Sequence, residues 1–464
     1  MLKKFSAPGR LSRLIAQAAD FMGNFLINDP TTPDLVSNES VPSMGRLRYV
    51  VKGMSLEPKN DAEKRALNCY IAMGNCINSI QKLLPNPIHS WAAVTDLAVV
   101  PSAGVEMNAY YDRRSLRFFY YNHKGRNVYF SDSADIITHE LGHAILDAMR
   151  PDFWSVQALE IWSFHEAFSD IVAMFNLMNY DKVVEKVICE TGGNLKFSNS
   201  ASRLAEEIGA LIRSVTEDPT YLPNALRDPA VEVFHYIDPS KLPGDADNNR
   251  LAAECHSFGR VFSGAWYSAF VKCYEKLMSK GAKPEDAFRS SRDACFSIML
   301  KAIPVSPRTS NYYSAVAKCM IAVSRDFGAD YTETLTEVFQ EWGIIKDEPM
   351  RSMSSINWTE AVISLKRGDK VIKTKTGALV TMKRKSTAKL SELDLTLAMA
   401  EGQDLVCELA DDVFYEFDSS GNLVDEVVQR RFDLLKTTSS CVSSALSDDM
   451  WEVKNGKLVR RMIR

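Results

Sequence analysis

With 464 residues, 46% of them apolar and 25% charged, the chain has the length for two or three domains and the make-up of an ordinary soluble globular protein. A net charge of −4 argues against a nucleic-acid binder, which carries a strong basic footprint. No window approaches the ~18 to 20 unbroken apolar residues of a membrane span.

Nine cysteines, odd in number and without a C-x-x-C pair, point to reduced thiols in a cytoplasm rather than to a disulfide framework. Met1-Leu-Lys-Lys begins basic, but Arg10, Arg13, Gln17 and Asp20 interrupt the apolar run that a secretory signal needs. The expected location is therefore cytoplasmic, with export by a non-classical route as the alternative. Residues 9–26 predict a short amphipathic helix. Asn28 to Pro42, rich in Pro, Thr, Ser and Asn, reads as a linker. Residues 1–45 thus form an N-terminal helix and linker, with room for a short pro-like segment.

Residues 61–84 carry helical periodicity and stop before Pro85 and Pro87. Strand-like runs follow at Trp91 to Val100, Val105 to Tyr111, Leu116 to Tyr121 and Asn127 to Phe130. Gly104, Asp112-Arg-Arg and His123-Lys-Gly125 supply the turns. Residues 46–150 are expected to form a sheet lobe that ends in a helix.

That helix holds the most informative stretch of the chain, Ser133-Ala-Asp-Ile-Ile-Thr-His-Glu-Leu-Gly-His143. His139 and His143 are four apart, so on a helix both imidazoles reach the same ion. Glu140 points about a quarter-turn away, where it can hold a water as general base; this is the H-E-x-x-H arrangement of zinc hydrolases. Ile136, Ile137, Leu141, Ala144, Ile145 and Ala148 form the apolar stripe, and Pro151 ends it. Catalytic zinc takes three protein ligands and keeps a fourth position open. Glu166-Ala-Phe-Ser-Asp170 lies in a second helical pattern, from about Val156 to Met178, and puts two carboxylates on one face. Glu166 is the expected third ligand, and Asp170 the acceptor for the other N–H of a ligating histidine. His165 is the rival ligand, about 100° round the helix.

These pieces, with Asn108-Ala-Tyr-Tyr111, Leu226-Arg227-Asp228-Pro229, and His256 followed by Ser263-Gly-Ala265, occur in an order that resembles the thermolysin-like zinc metallopeptidases, a branch of the gluzincins. The resemblance covers roughly residues 65 to 345. It implies an α+β zincin core of two lobes, with a helical lobe at 151–346 that carries the Glu ligand. It also implies that Asn108 and Ala109 bind the substrate backbone by strand addition, that Arg227 binds a substrate carbonyl, and that His256 stabilises the tetrahedral intermediate. The chain departs from the family in several places. Trp154 stands where a tyrosine is expected, and the spacing to Glu166 is about three residues longer. Met174-Phe-Asn-Leu-Met-Asn-Tyr180 lacks the carboxylates of a double calcium site, so none is expected; Asp135 reads equally well as a helix N-terminal carboxylate. Glu254 or Asp247 is the candidate to orient His256. Cys255 beside it permits a thiol–imidazole pair, although adjacent helix residues point apart.

Residues 200–218, 256–280, 283–303, 310–327 and 331–342 predict further helices. From 347 to 464 the composition turns to strands, at Val371 to Lys373, Ala378 to Met382, Leu405 to Leu409, Val413 to Phe417 and Leu423 to Val428. This region is expected to be a β-rich accessory domain of unknown partner. Its nine Lys or Arg between Lys366 and Lys389 read as a solvated hairpin face. The expected activity is a zinc-dependent endopeptidase acting on peptides or proteins, with Zn2+ on His139, His143 and Glu166. The alternatives are a non-catalytic zinc-binding interaction module, an aminopeptidase-type gluzincin hydrolase, and a toxin-like protease delivered into another cell.

Overall fold

A computed structural model describes residues 22–345, apart from 41, 43, 44, 85, 157 and 307, and the backbone of short strands between 361 and 460. The architecture is mixed helix and sheet, as expected. Among the described residues no helix is long and apolar enough to cross a membrane.

The sheet lobe is built on four strands, β3 (Arg48–Val51), β4 (Asp96–Val100), β5 (Ala109–Tyr111) and β6 (Ser115–Phe118), in the order β3-β4-β6-β5. The first three neighbours run parallel, and β5 closes one edge antiparallel to β6, with Ala109 opposite Phe118. Period-two alternation turns Leu97, Val99, Leu116 and Phe118 inward, while Ala98 and Arg117 face out. Against this lobe lies α1 (Asp61–Leu83). Its start is reciprocally capped: Asn60 accepts from the Glu63 N–H, and the Glu63 carboxylate accepts from the Lys59 N–H at 2.7 Å. The Tyr49 hydroxyl donates to the Tyr70 carbonyl at 2.8 Å and ties β3 to that helix. A hairpin of β7 (Tyr120–His123) and β8 (Arg126–Tyr129) turns through Lys124 and Gly125, both at positive φ, and leads toward α2 (Ala134–Met149).

The helical lobe is arranged around α3 (Leu159–Met178), in which every residue is buried. Two glycines let its neighbours approach. A Cβ on Gly142 of α2 would meet the Ser169 Cα at 2.7 Å. A Cβ on Gly259 of α6 (Cys255–Ser279) would meet the Glu166 Cβ at 2.9 Å and the Ser163 carbonyl at 3.1 Å. Thus α2, α3 and α6 pack with backbones nearly touching, and the residues flanking the contacts are those the motifs single out. Phe164 stacks edge-on against Phe262 and Tyr312 beneath them. α7 (Pro284–Ala302), α8 (Tyr312–Ser324) and α9 (Ala329–Glu341) complete the lobe.

Several expectations are corrected. Met22–Leu26 is a strand, β1, paired antiparallel with β2 (Val36–Ser40), so the predicted helix of 9–26 does not extend that far; its earlier part lies outside the described residues. The supposed linker after it is a packed strap: Ile27, Asn28, Asp29 and Leu35 are buried. Its polar composition reflects hydrogen bonding inside the protein rather than solvent. Residues 91–95 are not strand, because Trp91 turns in to donate its indole N–H to the Arg48 carbonyl at 2.6 Å. Asp181–Thr191, α4, was not anticipated; it ends on Gly192 in the left-handed region. The helix expected over 200–218 is shorter, Glu206–Thr216, α5. Beyond residue 345, strands at Val371–Lys373, Leu379–Thr381, Leu405–Glu408, Val413–Phe417 and Leu423–Val428 coincide with the sequence reading. The basic stretch from 366 to 389 is otherwise outside the described residues.

Replacing either contact glycine should separate the helices. Gly142→Ala and Gly259→Ala are each expected to lower unfolding free energy by about 1–3 kcal/mol through overpacking. Gly45→Ala, whose Cβ would meet nothing within 4 Å, should leave the denaturation midpoint unchanged. Equal midpoints for all three variants would contradict this packing.

Candidate metal centre

His139 and His143 lie on one face of α2 with ring centroids 5.0 Å apart, and Glu166 reaches them from α3. Glu166 Oε2 is 3.4 Å from His139 Nε2, and Oε1 is 3.6 Å from His143 Nε2. One donor atom from each of the three residues fits within a 4.8 Å group that could hold a metal ion. The spacing is informative. Tetrahedral bonds of about 2.1 Å put neighbouring ligand atoms about 3.4 Å apart, whereas a good N–H···O hydrogen bond is about 2.7 to 3.2 Å. Glu166 Oε2 is buried and receives no hydrogen bond. A buried carboxylate oxygen in that condition is costly unless a cation satisfies it. The donor set, two imidazole nitrogens and one carboxylate, suits a divalent metal. The candidate group takes in Glu166 and not His165, whose ring stacks on His143 at 5.8 Å and 25°.

Electrostatics follow the same geometry. Burial disfavours the His139 imidazolium, but Asp170 and Glu166 outweigh it and raise its pKa to about 10. Burial holds His143 well below the ordinary histidine value. Burial acts to raise Glu166, and His256, His143 and His139 together overcome it and keep the carboxyl below the usual range. Glu140 has no such balance: burial pushes it up to about 7.

Asp170 Oδ1 lies 2.9 Å from His139 Nδ1, the position expected for the residue that fixes the tautomer and aims Nε2 at the metal. The same oxygen accepts from Arg227 Nη2 at 2.8 Å. Arg227 was expected to bind a substrate carbonyl; here its guanidinium is engaged by Asp170, behind His139. Burial opposes the Asp170 charge, and Arg227 is the largest influence holding its pKa down.

His256 stands at the start of α6, with Nε2 3.5 Å from Glu166 Oε2. Its orienting partner is Glu254, not Asp247. The Glu254 carboxylate takes the His256 Nδ1 at 2.7 Å, and accepts from the backbone N–H of His256 and Ser257 at 3.1 and 2.9 Å. One side chain caps the helix and fixes the imidazole. Cys255 Sγ lies 3.6 Å from His256 Nδ1, nearer than adjacent helix positions suggested, and also groups with Glu166 and His256. Cys69, Cys76, Cys189, Cys273, Cys295 and Cys319 are free thiols.

On the sheet side, Ala109 lies on edge strand β5, half-buried, while the Asn108 side chain is buried and donates to Glu106 at 3.1 Å. The Asn108 carbonyl accepts from the Phe119 N–H at 3.1 Å. Trp154 sets its ring edge-on to Tyr111, 5.8 Å away, and under the Arg113 guanidinium. Both neighbours bind Asp147, one turn beyond His143: the Tyr111 hydroxyl donates at 2.9 Å and Arg113 donates from two nitrogens at 2.9 and 3.0 Å. Sequence reasoning missed this brace between β5 and α2. Its one signal was an aspartate four residues after His143, in an otherwise apolar stripe. Asp135 is buried in the first turn of α2 and accepts from the Ala205 N–H at 2.5 Å. A 3-10 turn at Pro151–Ser155 lies in the interval between His143 and Glu166.

No family model matches the chain, and no curated protein matches it.

The Arg227–Asp170–His139 line is expected to set metal affinity. Asp170→Asn and Arg227→Met should each weaken divalent-metal binding about 10- to 100-fold in a chelator-competition titration, with folding retained. Unchanged affinity in both would show that the line is only structural.

Proposed function

We propose that this chain is a zinc-dependent endopeptidase of the thermolysin-like type, as the sequence resemblance implies. The observation that carries the reading is the spacing of the donor atoms of His139, His143 and Glu166 around an orphaned carboxylate oxygen. Two imidazoles with one carboxylate favour zinc over the hard, all-oxygen cations. Zinc, when bound, supplies Lewis-acid polarisation of a carbonyl and makes water acidic near neutrality.

The protein's own residues do the rest. Glu140 is adjacent to a ligand in sequence, buried, and raised to about 7, which suits a base that accepts a proton from attacking water and returns it to the leaving nitrogen near neutral pH. Glu254 orients the His256 ring through Nδ1, and an Nε2–H aimed into the site would donate to a developing oxyanion. Edge strand β5, with Asn108 and Ala109, offers main chain along which an extended substrate can lie. The alternative, a zinc-holding interaction module, draws support from Trp154, whose ring packs on Tyr111 and Arg113 where the family has a tyrosine. The position of Glu140 favours the enzyme, since a structural metal site needs no base.

Hydrolysis of a diverse peptide mixture, read by mass spectrometry, separates the two. Wild-type chain should cleave, and Glu140→Gln should lose about 10²- to 10⁴-fold in rate while keeping its zinc. No cleavage by a zinc-loaded wild type would favour the interaction module, and equal cleavage by both would remove Glu140 from the mechanism. His256→Ala is expected to lower kcat about 10²- to 10³-fold with little change in KM. Glu254→Gln should lower it less. A variant pair that changed KM alone would place His256 in substrate binding instead.

A further inference from the structure

Away from the metal, the strap of residues 22–40 meets the foot of α2 through a run of acidic groups. The Ser133 hydroxyl touches Asp29 Oδ2 at 2.9 Å and is also hydrogen-bonded to Asp135 Oδ1. The Thr31 hydroxyl in turn touches Asp29 Oδ1 at 2.9 Å and Glu206 Oε2 at 3.0 Å. A hydroxyl owns one hydrogen. Ser133 can donate to one of its two carboxyl neighbours, and the other satisfies it only by donating back. Asp29 Oδ1 already accepts from the backbone N–H groups of Thr31 and Glu207, and Asp135 Oδ2 from Ala205. Among the described residues Asp29 Oδ2 has only Ser133 as a hydrogen-bond partner, so the proton fits on that oxygen, donating to Ser133 Oγ while Ser133 donates to Asp135. Both carboxyls are fully buried.

The charges nearby are already matched to other groups. Arg203 is on Glu206 at 2.5 Å, Arg126 on Glu207, and Arg65 on Asp132 at 2.6 Å. None of these cations has a hydrogen bond to Asp29 or Asp135. The strap itself is held by few other polar links, among them the Ala134 N–H to the Asn28 carbonyl at 2.7 Å, Lys186 to Asp34, and Lys182 to the Val36 carbonyl.

We infer that Asp29 and Asp135 share one proton through Ser133, and that its loss at alkaline pH releases the N-terminal strap from the helix that carries the metal ligands. Two buried carboxylates would then face one another with one hydroxyl hydrogen between them. The direction agrees with the environment: burial first, then the neighbouring Asp29, raises Asp135 to about 7, and burial raises Asp29. For a raised carboxyl, the stabilisation is fully present below the ordinary aspartate value of 3.8 and is lost as pH climbs through about 7. The inference is independent of the peptidase reading.

The test uses the full chain at pH 6 and pH 8.5, comparing wild type with Asp29→Asn and Asp135→Asn. Glu140 and Glu160, which burial also raises to about 7, give every protein the same background slope, so the difference between proteins is read. Between the two pH values, wild type should lose about 1–2 °C more in Tm than either asparagine variant. Chymotryptic cleavage after Phe25 or Leu35, normalised to an unfolded peptide of the same sequence, should accelerate about tenfold in wild type alone. Parallel Tm curves for wild type and the variants would overturn the shared proton. A wild-type strap whose normalised cleavage does not rise with pH would overturn the release, even if neither variant folds.

Discussion

A carboxylate held inside a helix that has no exposed residue is the constraint on which the rest of this structure depends. Glu166 sits midway along α3, and every side of that helix is covered by protein. An ionised group in such a place is tolerated only where positive charge surrounds it. Three imidazole nitrogens converge on its two oxygens at 3.4 to 3.6 Å, too far for strong hydrogen bonds and well spaced for an ion between them. Their convergence is possible because glycines at 142 and 259 thin the contacts on either side of α3. Packing and electrostatics are therefore one problem here: a side chain at either glycine would collide with the helix that carries the carboxylate on which the histidines converge.

The same logic spreads outward in lines of alternating charge. Asp170 lies between His139 and Arg227, and Glu254 lies behind His256. His139 and His256 thus each have an acid on the far nitrogen, and for His139 that acid has a cation of its own. Asp147 gathers Tyr111 and Arg113 from the sheet side, so the edge strand and α2 share a buried ionic joint. These contacts give orientation more than stability, since a buried ion pair gains little once its desolvation is counted.

What the sequence made legible was local or patterned. His139, Glu140 and His143 are readable because helical spacing alone puts the two histidines together, and the apolar stripe around them confirms the helix. Glu166 and Asp170 are readable for the same reason, one helix further on. The partners of Arg227 are not. Nothing local shows that its guanidinium closes on a carboxylate 57 residues earlier, and the resemblance gave it a different task. Glu254 was one of two candidates, and only the backbone turn that makes it an N-cap decides between them. The strap failed for a physical reason. Asn28, Asp29, Thr31 and Thr32 have the composition of a linker, yet their polar groups are satisfied internally, so composition pointed to solvent where the fold supplied partners. The α4 helix carries only a narrow apolar stripe of Val183, Val184 and Val187, too short to stand out from its surroundings.

Glu254 has a consequence that reaches beyond the site. Its two oxygens serve the first free N–H groups of a 25-residue helix and the ring of His256 at the same time. The beginning of the longest helix described and the orientation of one imidazole are fixed by a single rotamer. Fraying of that first turn would free the imidazole, and any group that pulled the carboxylate toward itself would loosen the helix start. The chemistry at this position cannot be retuned without rewriting a piece of the scaffold, which makes the pair a single heritable unit rather than two independent residues.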